Sequence, residues 1–87
     1  MMSFEKEITV DGIEYSIKKV SAIAYDDLAD KLRQDALLVR YTNNYGEIIE
    51  SVVFGFEMPD DEADLRDMFD ESSAWEFDRE VLESVEI

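Results

Sequence analysis

The chain has 87 residues, enough for one small domain that buries only about 60–65 % of the surface its unfolded form exposes. Acidic residues number 23 against 8 Lys and Arg, a net charge of −15, which argues against direct binding to nucleic acid or to anionic membranes. Cys and His are both absent, so disulfides, thiolate chemistry and the commonest acid–base residue and metal ligand are excluded together.

The first elements form a hairpin over about 3–10 and 13–20. Phe4, Ile8 and Val10 fall on one side of an alternating run, with Glu5, Glu7 and Thr9 on the other. Asp11-Gly12 supplies a two-residue turn whose positions both tolerate positive φ. The return run alternates again, Ile13, Tyr15 and Ile17 inward, with Glu14, Ser16 and Lys18 outward. Ser21 is placed to cap a helix over about 22–34. Tyr25, Leu28, Ala29 and Leu32 recur there at helical spacing, and Asp27 and Lys31 form a favourable i,i+4 pair.

A second hairpin follows, Ala36–Thr42 and Glu47–Phe56, turning within Asn43–Gly46. Its strands carry large apolar groups on two faces, Ile48, Val52 and Phe54 opposite Ile49 and Val53. A sheet covered on both sides accounts for that pattern, and so does an interface. Pro59 then starts a helix at or near its first position, with Asp60, Asp61 and Glu62 in the turn that the helix dipole makes favourable for anions. Leu65, Met68 and Phe69 form its apolar stripe, and the helix ends near Glu71.

The last segment is ambiguous. Ser73–Glu76 fits a capping box, and Ala74, Phe77, Val81 and Val85 fit a helical face. Trp75, Phe77, Val81, Val85 and Ile87 also line one side of a strand, but Glu, Arg and Leu favour the helix. The expected fold class is α+β: a four-stranded antiparallel sheet from two hairpins (ββαββα) plus a C-terminal helix, forming a single small acidic domain over 1–87.

The chemistry-bearing patterns are few. Asp60-x-Glu62-x-Asp64 with Glu71 matches four ligand positions of a calcium loop, but Leu65 stands where that loop needs Gly and Arg66 places a cation beside the ion. Paired carboxylates are too abundant to single out an acid and a base. The glycines, at 12, 46 and 55, form no phosphate-cradling loop. No enzymatic activity, metal or cofactor is therefore expected.

Charge distribution is more informative. Residues 1–46 hold 8 acids and 6 bases; residues 47–87 hold 15 acids and only Arg66 and Arg79. Concentrating one sign in a segment that also carries Leu65, Met68, Phe69, Trp75 and Phe77 points to an ordered interaction surface rather than a disordered tail. On a helix over 59–71, Asp60, Asp64, Asp67 and Glu71 lie within roughly 60° of one another and step about 4.5–6 Å along the axis. Duplex DNA presents a negative charge per strand every ~3.4 Å, and proteins read that row with Lys and Arg. Asp61, Glu62, Asp70, Glu76, Asp78, Glu80 and Glu83 could extend the row, and Trp75 could anchor it. Among the other aromatics, Phe54 and Phe77 are expected in the core, while Phe56 and Tyr45 fit either core or interface.

The leading expectation is an acidic inhibitor that occupies the positive groove of a nucleic-acid-binding enzyme or effector complex. In size and charge the chain is similar to the small proteins that phages and mobile elements use against restriction, CRISPR effectors or DNA-repair enzymes; the likeness is one of composition and carries no motif. The alternative is an assembly module or a toxin-neutralising partner. The chain is expected to act as a monomer or homodimer on a basic protein, with no membrane. A cytoplasmic location is expected because MMSFEKEITVDG lacks the uninterrupted apolar core of a signal peptide.

Overall fold

A computed structural model describes residues 4–71 and 77–86. Four strands, β1 (Lys6–Val10), β2 (Ile13–Ile23), β3 (Arg33–Thr42) and β4 (Ile48–Phe54), form one antiparallel sheet in the order β1-β2-β3-β4. Two helices follow, α1 (Glu62–Glu71) and α2 (Arg79–Glu83), so the α+β class and the four-stranded antiparallel sheet hold.

Asp11 and Gly12 take φ of 53° and 82° in the first turn, as a tight hairpin requires. Gly46 closes the second at φ 79°, where Asn43 Oδ1 accepts the amides of Tyr45 and Glu47 at 2.9 and 3.0 Å.

The strand alternation sorts the core into two layers. Ile8, Val10, Ile17, Leu37, Val39 and Val53 face one side and bury Leu65 and Met68 of α1. Val20, Ala22, Ala36, Leu38 and Val52 face the other and bury Val81 of α2. The apolar residues of the second hairpin nearer Gly55, Leu37, Val39 and Val53 on one side and Ala36, Leu38 and Val52 on the other, are thus covered within the chain, whereas Ile48 stays exposed.

The helix expected over 22–34 does not form. Residues 18–23 instead continue β2 against Leu38–Arg33 of β3, and Ser21 is a strand residue rather than a cap. Only a 3-10 turn, Tyr25–Asp27, and Lys31 at φ 57° separate the two strands. The helical spacing of Tyr25, Leu28, Ala29 and Leu32 was a weaker constraint than the strand ladder: Tyr25 and Leu32 are exposed, and only Leu28 packs on the core.

Other boundaries also move. Phe4 does not share the face of Ile8 and Val10. It lies before the ladder and packs on the α2 side, beneath Lys18 and Arg40. Phe56 lies beyond β4, which ends at Phe54 before Gly55 at φ 82°. Pro59 precedes α1 rather than opening it. The cap is Asp61, whose carboxylate accepts the Asp64 amide at 3.0 Å and whose carbonyl accepts the Leu65 amide at 3.1 Å. The C-terminal helix is confined to Arg79–Glu83 with Asp78 as its cap, and Glu86 then bridges to Ser21 in extended form. Phe77, expected in the core, is exposed. The capping box at Ser73–Glu76 lies outside the described residues.

Candidate functional site

Leu65, Met68 and Phe69 fix the rotation of α1 by packing on the sheet, and this turns two acidic flanks outward. The flanks differ in their balance of charge. On one, Arg66 Nη2 meets Glu62 at 2.7 Å and reaches the first hairpin turn to meet Asp11 at 2.9 Å. These contacts, Glu62 first and Asp11 second, raise the Arg66 guanidinium pKa, and the two ion pairs neutralise this flank in part.

The other flank has no such cation. Asp64, Asp67 and Glu71 line a groove of about 240 Å³ together with Asp60 and the segment Phe56–Pro59. Met58, Met68 and Phe56 contribute apolar surface to it. Among the described residues, no ion pair reaches Asp60, Asp61, Asp64, Asp67, Asp70 or Glu71. Asp64 is partly engaged, since its Oδ2 accepts the Asp60 amide at 3.1 Å. The carboxylates of Asp67 and Glu71 have no hydrogen-bond partner among the described residues, and both residues are exposed. Asp70 and Glu71 occupy the last turn, where the helix dipole disfavours anions and no base is present.

The twelve residues singled out from the sequence therefore divide. Asp60, Asp64, Asp67 and Glu71 come together along one groove. Asp61 caps the helix, Glu62 is paired with Arg66, and Asp70 is exposed without lining that groove. Asp78, Glu80 and Glu83 do not extend the row, because α2 packs on the opposite face of the sheet. There Asp78 caps α2 through the Glu80 amide at 2.8 Å, and Glu83 pairs with Arg79 at 3.1 Å. Trp75 and Glu76 lie outside the described residues.

Sequence reasoning missed Glu57 and Met58, which form the wall facing α1. Nothing in their spacing marks them; only the return of the chain after Gly55 brings them there. Of the calcium-loop pattern, Glu62, Asp64 and Glu71 are helical residues rather than members of a ligand loop. Tyr45 stands at the second hairpin tip, 87 % exposed, with Ile48 at 68 % nearby in sequence. No helix among the described residues is long and apolar enough to cross a membrane. In comparisons with known proteins, no family model, curated protein or solved structure matches the chain.

Proposed function

We propose that this protein is a non-enzymatic acidic inhibitor that docks α1 into the positively charged nucleic-acid groove of a partner protein. One observation carries the reading: Asp60, Asp64, Asp67 and Glu71 lie along one ordered flank, exposed and without ion pairs among the described residues. A surface helix ordinarily interleaves both signs. Here the available cation, Arg66, is committed to the other flank. A row of fixed carboxylates steers a cationic groove toward itself and competes with the phosphates that the groove evolved to hold. Restriction, CRISPR and DNA-repair proteins present such grooves, and a nuclease toxin presents a similar one.

The assembly reading has less support. It drew on the two-faced second hairpin, most of whose apolar residues are buried within the chain, which leaves Tyr45 and Ile48 at its tip as the exposed apolar surface.

The test is capture of host proteins on the immobilised chain at low salt, with elution as salt rises. The proposal expects a captured nucleic-acid-binding protein whose labelled duplex is displaced by the free chain in a salt-sensitive manner. Capture of a protein that retains its duplex at saturating chain would overturn it.

A further inference from the structure

Two hollows meet along the segment that follows β4. The first, about 770 Å³, has residues 19–20, 35–37 and 55–58 among its walls; Val20, Ala36 and Leu37 are themselves buried, so its apolar surface comes from Phe56 and Met58. The second is the acidic groove beside α1, and Phe56, Glu57, Met58 and Asp60 are walls of both. Asp35, Glu57 and Asp60 rim the first hollow, opposed by the single cation Lys19. Phe56 and Met58 are only partly buried against the core, so both offer apolar surface to whatever enters. A rigid row of lysines and arginines would satisfy the carboxylates and leave the first hollow unfilled. An extended peptide, rising about 3.3 Å per residue, is long enough to set different side chains in the two adjoining hollows.

We infer that this double groove docks an extended basic segment of the partner, with one large apolar side chain against Phe56 and Met58. Its flanking Lys or Arg side chains lie on Asp60 and Asp67. The inference rests on the reading above that the partner is cationic and adds an apolar anchor to it. Charge complementarity selects this occupant: the rim is anionic, so a second copy of the chain, at net −15, is repelled.

The test is fluorescence anisotropy of the full chain with two short labelled peptides of equal Lys and Arg content. One carries a central Leu; the other carries Ser in its place. The Leu peptide is expected to bind about tenfold more tightly, the effect of burying one such side chain. That advantage should disappear in Met58→Gln. Because Met58 also packs on the core, the exposed pair Glu57→Lys with Asp60→Lys serves as a second variant: both peptides should weaken while the circular dichroism spectrum stays unchanged. Equal affinity for the two peptides overturns the inference and leaves the charge-based function standing. Binding of neither also overturns it, and duplex displacement by the chain then decides the functional reading separately.

Discussion

Single residues report how closely this small core is specified. Ser51 sits opposite Val39 on β4, fully buried, and its Oγ has no hydrogen-bond partner among the described residues. A buried hydroxyl without a partner retains its desolvation penalty, of order 1–3 kcal/mol. Ser51→Ala should therefore leave stability unchanged or raise it by up to ~1 kcal/mol in urea unfolding; a comparable loss would show that the hydroxyl is bonded. Tyr15 reports on alkaline stability. Burial first, then Tyr41 and Asp11, raise its phenol pKa above 10.0. A raised folded-state pKa favours the protonated form, so the contribution of Tyr15 is intact below the unfolded value and is lost as pH rises through the folded one. The Tyr15→Phe variant should lose less stability than the parent above about pH 10. Identical alkaline melting curves would contradict that environment.

Elements show why part of the fold could be read from residues and part could not. β2 outruns β1, which leaves the amides of Lys19, Ser21 and Ile23 without a strand partner on that side. The chain satisfies each differently. Glu5 Oε2 accepts from Lys19 at 2.6 Å, the Glu86 carbonyl from Ser21 at 2.9 Å and Ser84 Oγ from Ile23 at 2.9 Å. Arg33 ties down the same C-terminal segment, donating to the Ser84 carbonyl at 2.8 Å and pairing with Glu86 at 3.2 Å. Arg33→Ala should cost about 0.5–1.5 kcal/mol, since the side chain is partly solvated. It should also speed hydrogen exchange at Ser21 and Ile23 before that of β3; uniform acceleration across the sheet would argue against a local clamp. The hairpin turns were legible because Asp11-Gly12 and Gly46 carry their backbone requirement in their identity. The extension of β2 was not, because two of its three edge amides, those of Ser21 and Ile23, are satisfied by residues more than sixty positions away. Local periodicity at Tyr25–Leu32 suggested a helix, but pairing of β2 with β3 as far as Ile23 and Arg33 leaves that segment as the short connection between the two strands.

At the scale of the molecule, the acidic flank was legible for Asp64, Asp67 and Glu71, which share a face of α1 at spacings of three and four, whereas Asp60 precedes the helix and reaches the same groove from the segment after β4. Its division was not legible: Arg66 is drawn away by Asp11 from the first hairpin, and the sheet separates α1 from α2. Net charge of −15 destabilises the fold through self-repulsion, so added salt should stabilise the free chain while weakening its complex. Asp67 and Glu71 make this opposition testable. Neither carboxylate has a hydrogen-bond partner among the described residues, and Glu71 opposes the helix dipole. The decisive measurement is thermal unfolding and partner affinity of Asp67→Lys with Glu71→Lys, side by side. A Tm equal to or above that of the parent, together with at least about a hundredfold weaker partner binding, is the predicted result. Undiminished partner binding by the folded double variant would contradict the proposed role of the α1 flank.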